Sequence, residues 1–171
     1  FPYPTIPKQN GLPTYESIKE IHMKLKSNAA SLPSSLGGGA HGHLGLILSD
    51  TIYHTFTGHH FVQIGYPGAV ATIPAGQPSA ALIGLTVRQH AATLRAHYET
   101  QRADQALKQQ NLNAFDDMYT RGLRNTHTGY ANITALQLIT HMYTTYGKIT
   151  SMDLEANDNK MKAPYDSTQP I

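Results

Sequence analysis

Cysteine and tryptophan are absent from this 171-residue chain, and charged residues make up only 14% of it. Without cysteine there is no disulfide framework and no thiolate-bound zinc, and the composition suits a reducing compartment. A formal charge of +2 is too weak a bias to mark a nucleic-acid binder by composition alone. No run nears the roughly 20 apolar residues that span a bilayer, and no basic-then-apolar leader opens the chain, so an intracellular, cytoplasmic protein with no membrane partner is expected. The glycine-rich stretch Ser31 to His43 lacks the GxxxxGK[ST] spacing of a phosphate loop and has no strand before it. The chain opens on Phe1 and stops at Gln169-Pro170-Ile171, which reads as a piece of something longer.

What is present is helical pattern. From Gln77 to Phe115, Ala80, Ile83, Val87, Ala91, Leu94, Tyr98, Arg102 and Ala106 recur every three or four positions, lining one face of a 3.6-residue helix. Pro78 suits a first turn and Ser79 or Gln77 a cap, and after Gly84 neither glycine nor proline returns until Gly122. The spacing predicts one continuous or once-kinked helix over 79–110, with Val87, Leu94 and Tyr98 buried against neighbouring helices. Thr14 caps a helix to about Ala30 with Ile18, Ile21, Leu25 and Ala29 inward. Ser49-Asp50 starts one that runs through Phe56 and ends at Gly58. Phe61 to Pro78 is an ordered loop, because Pro67 and Pro74 oppose a central strand.

Past the long helix, Asn113 can cap a segment with Phe115, Met118, Tyr119 and Leu123 inward, with Asp116-Asp117 in its first turn, where carboxylates favour the dipole. Thr134 caps the next helix, which carries Leu136, Ile139, Met142, Tyr143 and Tyr146 to Gly147, and Thr150 or Ser151 opens another with Met152, Leu154 and Met161. The expected fold is all-α, with about five to seven helices around a long central one. Four of the ten prolines fall in Phe1 to Pro13, so that segment is extended, and Phe1, Tyr3 and Ile6 are candidate assembly contacts.

The loop Gly37, Gly38, Gly39, His41 and His43 calls for positive φ or a close backbone approach at one or more glycines. His41 and His43, with His59 or His60, could be ligands of a small metal-dependent enzyme. No spaced acidic motif completes such a site, so these imidazoles read as hydrogen-bonding partners around a crowded turn, and no metal or cofactor is expected. Lys24, Lys26, Arg88, Arg95, Arg121 and Arg124 offer a second alternative, an RNA-binding helical module, with Arg121 and Arg124 its best-placed cations; as solvated helix faces they need no such role.

Gly37-Gly38-Gly39-Ala40-His41-Gly42-His43-Leu44-Gly45-Leu46, then Ser49-Asp50 and Tyr53, then Thr145-Tyr146-Gly147-Lys148-Ile149-Thr150, and last Pro164-Tyr165-Asp166 with Gln169-Pro170-Ile171 follow in order along nearly the whole chain. In this the sequence resembles the Gag polyproteins of copia-type LTR retrotransposons, those of unicellular algae above all. The resemblance implies a structural capsid protein whose partner is itself, in rings or a shell that encloses element RNA, with RNA reached through regions outside this chain. It implies an extended arm over 1–13, a helical capsid amino-terminal domain over 14–147, and the start of a carboxyl-terminal domain or linker over 148–171. The zinc knuckle of many Gag proteins is missing. So are the Asp-Ser/Thr-Gly motif of a retroelement protease and the acidic sets of an integrase or reverse transcriptase, and no enzyme activity is expected.

Overall fold

The structure, a computed structural model, describes residues 5–34, 41–70, 79–148 and 151–162. The fold is all-α, and no strand occurs among the described residues. One antiparallel bridge, Asn125 to Gly129, closes a turn. Helix α1 spans Tyr15–Ser31, α2 Asp50–Thr57, α3 Ala80–Ala114, α4 Asp117–Thr120, α5 Ala135–Tyr146 and α6 Ser151–Lys162, with short 3-10 turns at Leu44–Leu46 and Arg121–Leu123.

Side-chain caps set the helix starts. Thr14 and Ser17 form a reciprocal capping box, as do Thr134 and Gln137. Ser49 and Ser79 each accept from the third amide of their helix. Gly58 ends α2 in the left-handed region at φ 78°, where a β-carbon would strain the backbone. Gly147 ends α5 differently: its φ is −82°, and a β-carbon there would lie closer than 3.0 Å to the Tyr143 carbonyl oxygen.

The body is a three-helix pack in which α3 lies on α1 and α5 and these two touch each other. Ile18, Ile21, Leu25 and Ala29 of α1 meet Ala103, Leu107 and Ala114 of α3 and Ala135, Ile139 and Met142 of α5. The turn Leu44–Leu46 with Ile47 and Leu48 closes one end of this core. Polar pins cross it. Asn28 Nδ2 donates to Gln110 Oε1 at 2.9 Å, and His22 links α1 to the Ile47 carbonyl at 3.0 Å and to the Tyr143 hydroxyl at 3.3 Å.

α3 is one unbroken helix of 35 residues, about 52 Å long. Its buried side differs from the one the apolar spacing predicts. The buried positions are Ala96, Thr100, Ala103, Leu107, Gln110, Asn111 and Ala114, whereas Val87 and Tyr98 are exposed and Leu94 is half-buried. Leu94 and Tyr98 each stand two residues from a buried position, about 200° around the helix. The large apolar side chains therefore mark the wrong side, and small residues mark the one where α1 and α5 approach. Met118 is also exposed, while Phe115, two residues before α4, is buried in the core. In α6, Leu154 and Met161 are exposed.

Candidate functional site

The first sixteen residues of α3, Ala80 to Arg95, contribute nothing buried: burial begins at Ala96. This segment is about 24 Å of helix. Its sequence holds Leu82, Ile83, Leu85, Val87, Leu94 and four alanines, with no acidic residue before Glu99. Leu82, Ile83, Leu85 and Val87 are 49%, 39%, 45% and 48% exposed, much more than a folded chain leaves on residues it uses as core.

The exposed residues fall on two sides. Leu85 precedes Ala96 by about three full turns and Leu82 precedes Thr100 by about five, so both prolong the side that packs on the body. Ile83, Val87 and Tyr98, with the half-buried Leu94, run along the opposite side. A helix apolar all round is ordinarily buried on all sides. This arm thus presents two apolar stripes, back to back, with no buried residue before Ala96.

The root of the arm is fixed. His97 Nδ1 donates to the Ile64 carbonyl at 2.9 Å, and its ring stands edge-on to Tyr66. That loop also exposes Val62, Tyr66 and Val70. Two residues further, Glu99 Oε1 lies 3.2 Å from Nε2 of His43, whose side chain is 1% exposed and whose Nδ1 has no partner. A cleft of about 470 Å³ opens here between α3 and the exit of α1, lined by Leu32, Pro33, His43, Arg95, Tyr98, Glu99, Arg102 and Ala103.

The residues singled out in the sequence are placed as follows. Phe1, Tyr3, Gly37, Gly38 and Gly39 lie outside the described residues. Ile6 is 6% exposed and belongs to the chain's own core, so it is a fold contact, which corrects its reading as an assembly residue. The segment around it lies along its own domain: Gln9 N–H donates to the Ala114 carbonyl at 2.7 Å, and Lys8 pairs with Asp116. The physical reason is that its prolines leave an apolar extended strap, whose Ile6 joins the core that α1, α3 and α5 form.

His41 meets the edge of Phe56, His43 is buried against Glu99, and His60 donates from Nδ1 to Asp50 Oδ2 at 2.7 Å while stacking on His54. The imidazoles thus go to different places, and no group of three His, Cys, Asp or Glu able to hold a metal occurs among the described residues. His60 holds the Asp50 carboxyl below its ordinary range, and burial raises that of Asp104, which caps α5 by accepting from Ala135 N–H at 3.0 Å. Arg121 and Arg124 are exposed on the turn after α4. The crowded glycine is Gly42: its φ is +50°, and a β-carbon would lie closer than 3.0 Å to the carbonyl oxygens of Ala29, Ala30 and Leu32. This docks the loop on the end of α1, where His43 N–H donates to the Ala29 carbonyl at 2.9 Å.

Sequence reasoning missed Leu82 and Leu85 as surface residues and the His43–Glu99 pair. The absence of any acid between Ser79 and Glu99 was a usable signal for the first, because a solvated helix face ordinarily carries charge of both signs. For the second nothing in the spacing of residues 43 and 99 could have served. Comparison with family models, curated proteins and solved structures returns no match to this chain.

Proposed function

We propose that this chain is a structural capsid subunit of the Gag type, from a copia-like retrotransposon, which self-assembles into a virus-like particle around element RNA. The observation that carries self-assembly is the arm of α3, with Leu82 and Leu85 on one side and Ile83, Val87 and Leu94 on the other. The resemblance of the Gly37 to Leu46, Thr145 to Thr150 and terminal motifs supplies the element and the particle.

A closed shell needs more than one contact surface per subunit, since a single self-complementary patch stops at a dimer and head-to-tail contacts build rings. Two apolar stripes on opposite sides of one helix provide a subunit with two neighbours, and each contact can be weak, because many of them act together in a particle. The occupant of the arm is a second copy. The arm carries no acid and only Arg88 and Arg95 as cations, so nothing on it selects a strongly charged partner. Particles in the cytoplasm, with RNA contacted by segments outside this chain, complete the reading.

Sedimentation velocity and negative-stain microscopy test it. The chain is expected to form concentration-dependent oligomers and, at high concentration, rings or shells. Leu85→Lys and Val87→Lys, one on each stripe, are each expected to reduce the size of the species formed, and together to leave monomer. A chain that stays monomeric up to its solubility limit would overturn the proposal, and so would particles unaffected by the double variant.

A further inference from the structure

The cleft at the root of the arm carries an excess of positive charge that the fold does not use. Arg95 and Arg102 stand about two turns apart on one side of α3, roughly 10 Å along the axis, and both line the cleft. Neither forms an ion pair among the described residues. The acid between them, Glu99, is engaged with His43. Pro33, Leu32 and the ring of Tyr98 supply apolar walls, and the volume of about 470 Å³ is that of a small-molecule site.

We propose that this cleft binds a small polyphosphate. Guanidinium groups stay charged at any physiological pH and present paired N–H donors that match phosphate oxygens in a bidentate way. Two such forks, rooted two turns apart on one cleft, suit two linked phosphates better than one. A single carboxylate would occupy one fork and leave the other unanswered. Glu99 does not cancel the site, since its Oε1 lies 3.2 Å from His43 Nε2 and two cations remain against one acid. His43 Nε2 lies on Glu99 Oε1, so the anion is held by the arginines.

Calorimetric titration of the whole chain with inorganic pyrophosphate and tripolyphosphate, in magnesium-free buffer of low ionic strength, tests this. One site per chain is expected, with tripolyphosphate bound more tightly than orthophosphate. Arg95→Ala and Arg102→Ala are each expected to weaken binding about tenfold or more, because a hydrogen-bonded charged contact is lost. Arg124→Ala, an exposed cation elsewhere, is expected to leave it unchanged. Both cleft arginines are exposed, so the variants are expected to melt like the parent, which separates lost binding from lost fold. Absence of binding, or binding indifferent to both substitutions, would overturn the proposal. So would binding of a single-stranded oligonucleotide through these arginines with no binding of pyrophosphate, which would make the cleft part of an RNA track. Self-association has no part in this readout, so the two proposals stand or fall separately.

Discussion

The two halves of α3 invert the usual relation between apolar content and burial. The carboxyl-terminal half, Ala96 to Ala114, is crowded with polar residues (Gln101, Arg102, Asp104, Gln105, Lys108, Gln109, Gln110, Asn111, Asn113), yet it forms the centre of the body. The amino-terminal half is richer in leucine, isoleucine, valine and alanine and contributes no buried residue. Burial is decided by what lies opposite, and α1 and α5 reach only the later half. There the stripe Ala96, Thr100, Ala103, Leu107, Gln110 and Ala114 is small or slender, which lets backbones approach and leaves Leu107 as the one large aliphatic side chain in it. The earlier half has the composition of a core segment and contributes no buried residue.

The sharpest test of that contrast is Leu107→Ala, the fully buried member of the stripe. A loss of about 3 kcal/mol is expected, within the range of buried leucine truncations. Denaturant unfolding would read it as a lower midpoint with unchanged slope, and a midpoint within error of the parent would break the distinction between the halves. Nearly as large is Gly42→Ala, which joins left-handed strain to a clash with three carbonyl oxygens at the end of α1: about 2 to 3 kcal/mol is expected. Gly58→Ala is its control, since φ there is also positive but nothing lies within 4 Å, and about 1 kcal/mol is expected from the backbone alone.

A middle-sized effect makes the body acid-sensitive. Burial lowers the pKa of His22 from 6.5 to about 4, against the opposing hydrogen bond to the Ile47 carbonyl. The unfolded chain therefore takes up a proton before the folded one does. Stability from this group is complete above pH 6.5 and is lost as pH falls from there towards 4, by about 2 kcal/mol once its partial exposure is allowed for. Asp104 has the opposite sign: burial raises its pKa, so the folded chain gains relative to the unfolded one as that carboxyl is protonated. Comparing unfolding midpoints at pH 7 and pH 4.5 in parent and His22→Gln isolates the histidine, and the difference between the two pH values is expected to shrink in the variant. An unchanged difference would mean that His22 does not carry the acid sensitivity.

Helix ends were legible because their signals are local. Thr14, Ser49, Ser79 and Thr134 each bond an amide three residues on, and Gly58 supplies the left-handed cap after α2. The continuity of α3 followed from the absence of glycine and proline between Gly84 and Gly122. Its orientation did not, because periodicity tells which residues share a side and not which side faces neighbours. Two apolar stripes are present, and the bulkier one is not the side on which α1 and α5 pack. Ile6 read as an outward contact because a proline-rich segment shows that it is extended without showing the groove it lies in. The cleft was out of reach for a similar reason: Leu32, His43, Glu99 and Arg102 meet only once α1, the glycine loop and α3 have packed.

The smallest expected effect completes the contrast. Val87 is 48% exposed on the outer stripe of the arm, so Val87→Ala removes two methyl groups that the folded monomer does not bury. The transfer and cavity terms that penalise Leu107→Ala are then absent, and what remains is helix propensity, in which alanine exceeds valine by up to about 0.7 kcal/mol. Partial fraying of an exposed arm weakens even that gain, since residues that are already loosely held contribute little to global unfolding. Monomer stability is therefore expected to stay within about 0.5 kcal/mol of the parent, on the side of stabilisation. Self-association is expected to move the other way, because the same methyl groups are buried when a second copy covers the stripe. Measured on one sample series, an unchanged unfolding midpoint with a higher dissociation constant marks a residue that belongs to the assembly and not to the fold. A destabilisation of about 1.5 kcal/mol or more at Val87, the size of a buried valine side chain, would instead place it in a core and remove the arm from consideration as a free surface.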